Sequence, residues 1–287
     1  MNHSLVLISL ASAFCFAFAL NLTHLGLKAL PAMAGARISV PTTAVIFLAI
    51  SVWTVDWHGW TTESAIIFAV AGLFHPITVT LLTFAANRVI GPNLTGALGN
   101  LTPIFAVVVA IFLLDETPTL LQAVGIGTVC AGVALLFSGR RQGGRALPLW
   151  AFALPILGAL VRGFVQPLVK FGMLDWASPF AAVTIGYAVS ALVILTLTGF
   201  GRTRMPLPTL NDLRWFVPIG IFNGAAVLLL YMALSQGPVA VVAPLVASYP
   251  LMTIVLSWPM IGARAVTLPM AAGTVITVIG VAVVLMG

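Results

Sequence analysis

One stretch of the sequence occurs twice, about half a chain length apart. Gly91-Pro92 is followed by Leu101-Thr102-Pro103-Ile104, and Gly237-Pro238 is followed by Ser248-Tyr249-Pro250-Leu251, with offsets of 146 and 147 residues. A further match, offset by 148 residues, relates Gly125 and Gly132-Val133-Ala134 to Gly273 and Gly280-Val281-Ala282. Both copies lie in long apolar runs. A period near half of the 287 residues is typical of two-repeat secondary transporters and predicts a duplicated membrane fold.

The composition places most of the chain in lipid. Hydrophobic residues make up 61% of the sequence and charged residues 6%, against roughly 25% charged residues in a soluble domain. So few charged side chains cannot cover a soluble protein of this size, and we expect a lipid bilayer around it. The net charge of +6 does not indicate nucleic acid, because the basic residues stand singly or in pairs and form no phosphate-binding stripe.

No pattern in the sequence indicates a catalytic, cofactor or metal site. Cys15 and Cys130 lie inside apolar runs, as small buried hydrophobic side chains do, and predict no disulfide framework. Asp56-Trp57-His58 with Glu63 could be imagined as a metal site, but the short aromatic connection is more typical of an interfacial belt. The chain has no P-loop motif. We therefore expect no enzyme activity, no cofactor and no ATP hydrolysis by this chain.

Long apolar runs predict ten transmembrane helices. A bilayer core of about 30 Å takes about 20 residues of α-helix. Cutting at polar and Pro/Gly clusters predicts spans at about 5–27, 33–54, 64–86, 93–114, 119–138, 147–169, 178–200, 214–234, 239–258 and 266–286. Five spans per half turn the second half upside down relative to the first. We predict an all-α membrane protein of two inverted five-helix repeats, residues 1–139 and 147–287, joined by a basic linker at 140–146.

Basic residues concentrate on one side of the predicted bundle. Connections after odd-numbered spans carry ten of the twelve basic residues: Lys28, Arg37, Arg88, Arg140, Arg141, Arg145, Arg202, Arg204, Arg214 and Arg264. Connections after even-numbered spans carry Lys170 and five of the six acidic residues: Asp56, Glu63, Asp115, Glu116 and Asp175. Because positively charged connections stay in the cytoplasm, a chain of ten spans has both termini outside.

Arg162 and Gln166 lie well inside the sixth predicted span, one helical turn apart on the same face. A central arginine costs about 2.5–3.5 kcal/mol on membrane-insertion scales, so its presence requires an explanation. In a water-filled cavity, Arg162 is the best candidate to hold a carboxylate or phosphate bidentately, and Gln166 is a further candidate for substrate binding. In the alternative, its side chain snorkels to the interface or donates to carbonyls freed by Pro167.

His75 and Asn223 lie near the centres of the third and eighth predicted spans, at nearly equivalent positions of the two repeats. A pseudo-symmetric binding site would place polar groups in this way. An unperturbed histidine titrates near physiological pH, which makes His75 a candidate proton carrier. No Asp or Glu lies near a span centre, so the alternatives are coupling through His75 and uncoupled transport. A lone intramembrane histidine or asparagine also commonly hydrogen-bonds a neighbouring helix.

Spans four and nine carry matching polar residues and prolines. The residues concerned are Asn93, Gly96, Asn100 and Pro103 in span four, and Pro244, Ser248, Tyr249 and Pro250 in span nine. A mid-helix proline frees a carbonyl, which a membrane tolerates only beside protein or a water-filled cavity. We predict that Pro103 and Pro250 bend their helices around a cavity or act as hinges, and that Asn100, Tyr231 and Tyr249 line it.

Both halves carry the features of one transporter family. The second half runs Tyr231-Met232-Ala233-Leu234-Ser235-Gln236-Gly237-Pro238 and then Ala247-Ser248-Tyr249-Pro250-Leu251. The first half has Pro31 with Arg37, Pro103, Asp115-Glu116, Gln122, Gly125 and Gly132-Val133. In these features nearly the whole chain resembles the ten-helix proteins of the drug/metabolite transporter superfamily, which have two EamA-like repeats.

The resemblance implies export of a small polar metabolite, an amino acid or a related compound, by alternating access. It implies a monomer in the cell (inner) membrane, with protons as a candidate coupling ion. The alternatives are a facilitator of drug or other metabolite efflux, and a scaffold or accessory protein without transport. A membrane-embedded enzyme would need converging catalytic groups, whereas the acids and histidines of this chain are dispersed.

The chain departs from the family pattern at three points. Arg264 stands where the second repeat often has an acidic residue, and Phe16-Ala17 replaces an aromatic-Gly pair in the first helix. Family members are described with both termini in the cytoplasm, against the charge count. Between the repeats, Arg162 has Phe16 as its counterpart, and Glu116 has Arg264. We expect these asymmetries to determine which cargo is bound.

Overall fold

The protein is a bundle of α-helices. The computed structural model describes residues 3–28, 30–136, 141–142, 145–146, 148–199, 208–262 and 268–286. The helices of the first half are α1 (His3–Gly26), α2 (Ala32–Thr54), α3 (Thr62–Phe74), α4 (Ile77–Gly99), α5 (Thr102–Leu114) and α6 (Leu120–Leu136). Those of the second half are α7 (Leu149–Asp175), α8 (Pro179–Gly199), α9 (Leu210–Gln236), α10 (Val239–Val246), α11 (Tyr249–Ile261) and α12 (Leu268–Met286).

In the described part of the chain, a 3-10 turn and a pair of short strands accompany the α-helices. A single 3-10 turn, Trp57–Gly59, lies between α2 and α3. Between the halves, β1 (Arg141–Gln142) pairs antiparallel with β2 (Arg145–Ala146). The predicted basic linker at 140–146 therefore contains a strand pair, which the sequence analysis does not predict. Of the basic residues in the charge count, Arg140, Arg202, Arg204 and Arg264 lie outside the described residues.

Helix length and composition make this a multi-pass membrane protein. Seven helical segments are long and apolar enough to cross a membrane: His3–Gly26, Ala32–Thr54, Thr62–Leu114, Leu149–Asp175, Pro179–Gly199, Leu210–Gln236 and Val239–Ile261. Leu120–Gly132 and Ala271–Val284 are shorter apolar stretches. The most exposed large side chains include Trp53 and Phe112, as expected where lipid rather than water covers the helices.

Four interruptions divide the apolar segments. Gly91 has φ 75° and ψ 171°, in the positive-φ region that favours glycine, and Pro92 follows it inside α4. The other three lie at His75-Pro76, at Asn100-Leu101 and at Ala247-Ser248.

The prolines predicted to bend spans four and nine lie beside two of these interruptions. Pro103 is in the first turn of α5, and Pro250 is in the first turn of α11. Proline lacks an N–H group, and its fixed φ fits the first turn, so it begins a helix more readily than it continues one. The predicted mid-helix bends therefore take the form of a helix end followed by a new helix start.

Helices α6 and α12 run antiparallel and approach each other at glycine residues. A Cβ atom on Gly125 would lie 2.7 Å from the carbonyl oxygen of Gly280, and one on Gly132 would lie 2.6 Å from that of Gly273. Gly125 and Gly273 are equivalent positions of the sequence repeat, and so are Gly132 and Gly280. The contact is therefore self-complementary, as contacts across a two-fold axis are.

The centre of the bundle repeats this relation. Helix α1 packs on α9, while α7 packs on α3 and α4, and α2 packs on α8. The hydroxyl of Thr43 on α2 donates to the carbonyl of Gly220 on α9 at 2.6 Å. The hydroxyl of Ser190 on α8 donates to the carbonyl of Gly72 on α3. These two pairs are equivalent under the sequence repeat, so the same hydrogen bond joins the halves twice.

Replacing Gly125 by valine should destabilise the protein by about 1–3 kcal/mol, because the added side chain overlaps the backbone of α12. Gly127 lies on the same helix, and a Cβ there meets nothing within 4 Å, so Gly127→Val is the matched control. Thermal unfolding of the purified protein in detergent should show a lower midpoint for Gly125→Val only. Equal midpoints for the two variants would contradict the close glycine contact.

Candidate functional site

A central cavity lies between the two halves of the bundle. It encloses about 570 Å³ of space, including solvent at its mouth. Six helices contribute to its lining: Phe16, Ala19, Leu20 and Thr23 of α1; Val79, Thr80, Thr83, Phe84, Thr95 and Gly96 of α4; Arg162 of α7; Tyr187 of α8; Asn223 and Val227 of α9; and Tyr249 of α11. His75 and Pro76, at the interruption between α3 and α4, complete it.

The central cavity occupies one half of the bundle's depth. Along α1 its lining begins at Phe16, past the middle of the helix, and ends at Thr23, close to the last residue. Along α4 its lining lies on both sides of Gly91. The cavity therefore extends from the middle of the bundle to the end at which Gly91 lies, which we call the Gly91 end.

Arg162 forms a wall that three cavities share. Besides the central cavity, it lines two smaller cavities, of which the one beside Gly99 and Ala247 is the larger. Its Nε atom is buried without a hydrogen-bond partner. All six acidic residues belong to the described part of the chain, and none of them forms an ion pair with Arg162. Arg162 is thus a positive charge inside the bundle without a counter-ion among the described residues.

The surroundings of Arg162 hold its guanidinium in place. The Tyr249 hydroxyl donates to the carbonyl of Gly96 at 2.7 Å and, like the guanidinium, lies next to Gly99. A Cβ atom on Gly99 would overlap both the Tyr249 hydroxyl and the guanidinium, so glycine leaves the space they occupy. Gly163, the next residue of α7, lies directly against Phe105 of α5. The small residues therefore let α4, α5 and α7 converge on one charged group.

Four of the sequence-predicted site residues meet at the central cavity: His75, Arg162, Asn223 and Tyr249. They come from the α3–α4 interruption and from helices α7, α9 and α11, so both halves of the chain contribute. His75 is 6% exposed, and its Nδ1 has no hydrogen-bond partner. Asn223 is half-buried at the middle of α9.

The remaining predicted residues lie toward the opposite end of the bundle. Gln166 lines both smaller cavities, and its Oε1 is buried without a partner. Tyr231 lines the smaller of the two. Asn100 is buried at the C-terminal end of α4 and lines none of the three cavities. Pro103 and Pro250 border the interruptions beside the larger of these two cavities.

The sequence-based prediction missed the hydroxyl groups of the central cavity. Tyr187 and Thr95 line it with buried hydroxyls that have no partner, and Thr80 and Thr83 line it as well. The chain has only three tyrosines, so Tyr187, in the middle of an apolar span, was an available signal. The threonines gave none, because a threonine hydroxyl in a helix usually bonds the backbone one turn earlier and is unremarkable there.

At the other end of the bundle, Glu116 joins the two halves. Its carboxylate, just after α5, accepts hydrogen bonds from the backbone N–H groups of Val239 and Ala240 at 2.9 and 3.1 Å. These two residues begin α10, where the helix dipole favours a negative charge. Lys170 of α7 donates to Glu116 Oε1 at 2.9 Å and to the carbonyl of Gly237 at 2.8 Å. We call this group of contacts the Glu116 latch.

Neutral amide groups join the helices at the Gly91 end. The Ser257 hydroxyl lies 2.6 Å from Asn21 Oδ1 and 2.8 Å from Asn93 Oδ1. Asn87 Nδ2 donates to the carbonyl of Leu20 at 2.8 Å. These contacts connect α1, α4 and α11 without ion pairs between the residues named, whereas the Glu116 latch uses opposite charges at the other end.

The arrangement is suited to binding a solute with a negative group. A guanidinium presents several N–H donors in a plane that matches a carboxylate or phosphate, and hydroxyl and amide groups surround it in the central cavity. Within the described ranges, no group of three His, Cys, Asp or Glu side chains could hold a metal ion.

Comparison with known proteins identifies the family. A profile of the EamA-like transporter family matches residues 3–138 and again residues 149–286. A crystal structure of another protein superposes with a TM-score of 0.73 at 19% identity, covering 99% of this chain and 96% of that chain, which shows a shared fold. Proteins of curated function give no match. Because the two profile matches span nearly the whole sequence, this chain belongs to the EamA-like transporter family.

Proposed function

We propose that the protein is a secondary transporter that exports a small polar metabolite with a negative group, an amino acid or a related compound. The observation that carries the proposal is the Arg162 guanidinium, which faces the central cavity without a counter-ion. A buried charge without a partner costs several kcal/mol, roughly 3–5 where a partner has been removed. A bound anionic cargo supplies the partner, and membership of a transporter family supports its movement across the membrane.

The proposal includes ten spans in two inverted five-helix repeats, residues 1–139 and 147–287, with a linker at 140–146. The segment Thr62–Leu114 has 53 residues; as one helix it would be about 80 Å long, far more than a bilayer core of about 30 Å. We divide it at Gly91 into two spans, and we combine α10 and α11 into one. The antiparallel, self-complementary contact between α6 and α12 supports the inverted relation.

The different structures of the two ends support alternating access. Cargo enters the central cavity from the Gly91 end and reaches Arg162. The two repeats then rock against each other, with the interruptions beside Pro103 and Pro250 as hinges, and the Glu116 latch separates. The Gly91 end carries Lys28, Arg37 and Arg88, so by the positive-inside rule it faces the cytoplasm and the route is export.

The site residues take separate roles in this proposal. Arg162 and Tyr249 bind the negative group, His75 and Asn223 bind polar groups of the cargo, and Gln166 and Tyr231 line the path toward the latch. Protons couple to transport only through His75, because all six acids lie in connections or in the end turns of helices; without that coupling, transport is facilitated. The transporter acts as a monomer in the inner membrane.

Replacing Arg162 by glutamine should reduce cargo uptake into proteoliposomes by at least about tenfold, because charge-assisted hydrogen bonds to the cargo are lost. The cargo is first identified by mass spectrometry after incubation with a mixed metabolite pool. Arg162→Lys keeps the charge but not the planar fork, so it should retain part of the uptake. Arg88 is exposed near the Gly91 end, and Arg88→Gln should transport normally.

Two results of this assay would contradict the proposal in different ways. If no solute is enriched, the protein is not a transporter under these conditions, and the scaffold or accessory role is favoured. If a cargo is enriched and Arg162→Gln transports it as well as the wild type does, transport stands and the role of Arg162 is wrong.

Replacing Glu116 by glutamine should open the latch end more often. The substitution removes the charge that binds Lys170 and the start of α10, and loss of such bonds shifts an equilibrium by roughly tenfold or more. The measurement uses a cysteine in place of Ala243, a buried residue of α10, in a chain with Cys15→Ala and Cys130→Ala. An impermeant thiol reagent on the latch side should label it faster in Glu116→Gln.

The control for the latch is Glu63→Gln, because Glu63 is an exposed glutamate in the first turn of α3. The cysteine at position 243 should be labelled at the same rate in Glu63→Gln as in the reporter protein that keeps both Glu63 and Glu116. Equal rates in Glu116→Gln and Glu63→Gln would show that the latch does not hold this end closed.

The paired strands β1 and β2 between the halves provide a test of the orientation of the protein in the membrane. A cysteine in place of Gln142 in β1, in the same cysteine-free chain, should resist an impermeant thiol reagent added to intact cells and react after permeabilisation. Labelling from outside would place the Gly91 end outside and overturn the export direction.

A further inference from the structure

We infer that the cargo is a monoanion that carries hydroxyl or carbonyl groups and no ammonium group, as 2-hydroxycarboxylates and N-acylated amino acids are. This inference rests on the proposed function and narrows its substrate class. It excludes free amino acids and retains the related compounds that have lost the amino group's charge.

The acidic residues all lie away from the cavities. The six acidic residues lie in connections or in the end turns of helices: Asp56, Glu63, Asp115, Glu116, Asp175 and Asp212. None of them lines the central cavity or either smaller cavity. Among the lining residues of all three, Arg162 is the one Lys, Arg, Asp or Glu. The site therefore has a fixed positive charge and no fixed negative charge.

A monoanion and a zwitterion meet this site differently. A monoanion neutralises Arg162, so the occupied cavity carries no net charge from the pair. A zwitterionic amino acid brings a second positive charge into the same cavity. That ammonium group loses its hydration without gaining a carboxylate, and the nearby guanidinium repels it through a medium less polar than water.

Backbone carbonyl groups could replace a carboxylate as partners of an ammonium group. The carbonyls of Gly96 and Gly99, at the end of α4 beside Arg162, already accept hydrogen bonds from the protein. The Tyr249 hydroxyl donates to Gly96, and the Thr102 hydroxyl donates to Gly99 at 2.7 Å. These oxygens therefore offer an ammonium group only their remaining lone pairs and no negative charge.

The unpaired groups of the central cavity match neutral oxygen atoms instead. The hydroxyls of Tyr187 and Thr95 and the Nδ1 atom of His75 are buried without partners and line the cavity. A hydroxyl group can both donate and accept, and neutral imidazole offers one donor and one acceptor. A hydroxyl or carbonyl group on the cargo satisfies such atoms without adding charge.

The test compares solutes that share a carbon skeleton. Leucine is a zwitterion at neutral pH, whereas 2-hydroxyisocaproate and N-acetylleucine are monoanions; alanine and lactate form a smaller pair. Thermal stabilisation of the full-length protein and uptake into proteoliposomes are measured for each. We expect each hydroxy acid to bind at least about tenfold more tightly than its amino acid. Arg162→Gln should abolish this preference, and Arg88→Gln should retain it.

The possible outcomes separate this inference from the proposed function. If an amino acid binds as tightly as its hydroxy analogue, and Arg162→Gln abolishes both, the inference is wrong and the transport of an anionic metabolite stands. If none of these solutes binds, the inference is tested on the cargo that is found in the metabolite pool. A cargo with an ammonium group whose uptake depends on Arg162 overturns the inference. A cargo without an ammonium group whose uptake depends on Arg162 supports it. If no anion is taken up in an Arg162-dependent way, both are wrong.

Discussion

Inside a bilayer no water is available to backbone N–H and C=O groups, so every interrupted helix needs partners within the protein. The hydroxyl of Ser190 serves the interruption at His75-Pro76, because it donates to the carbonyl of Gly72 and accepts from the N–H of Ile77. Thr102 and Tyr249 serve the interruption between α4 and α5 in the same manner. Ser190 and Tyr249 reach these interruptions from the other half of the chain, so the interruptions lie where the halves meet and border the polar cavities. The position of the site follows from this requirement.

The same requirement explains which features could be predicted from the sequence. Lipid demands long apolar helices, so the outer bounds of the predicted spans agree with those of the apolar segments within several residues. The breaks inside the segments were not predicted: α3, α4 and α5 occupy the place of the third and fourth predicted spans, and α10 and α11 that of the ninth. A polar group in such a helix is costly, which led directly to Arg162, His75 and Asn223. The Glu116 latch could not be predicted, because Lys170 is 54 residues away in the chain and nothing local marks the two as partners. Tyr187 has no counterpart in the repeated Gly-Pro to Pro segment that points to Tyr231 and Tyr249, so only its hydroxyl in an apolar span indicates its place at the cavity.

The two halves share a fold but differ where the charges lie. The repeat places Phe16 opposite Arg162, so one half contributes the charge of the central cavity and the other contributes an aromatic ring, which lies 6.2 Å from the ring of Tyr249. The small-residue contacts between α6 and α12, by contrast, are the same from either side. The symmetric part thus holds the bundle together, whereas the asymmetric part lies at the central cavity, where the proposed cargo binds.

The difference between the charged Glu116 latch and the neutral amide contacts of the Gly91 end has a kinetic consequence for a carrier of the proposed kind. Identical gates would leave the two resting forms equally populated. Here separating one gate costs a charge-assisted contact, whereas separating the other costs hydrogen bonds between neutral groups, which are weaker. Most empty carriers then have the binding site open to the Gly91 end. The apparent affinity on each side is proportional to the fraction of carriers open to that side. The half-saturation concentration for cargo is therefore lower at the Gly91 end than at the latch end, and the two directions of transport differ in their kinetics.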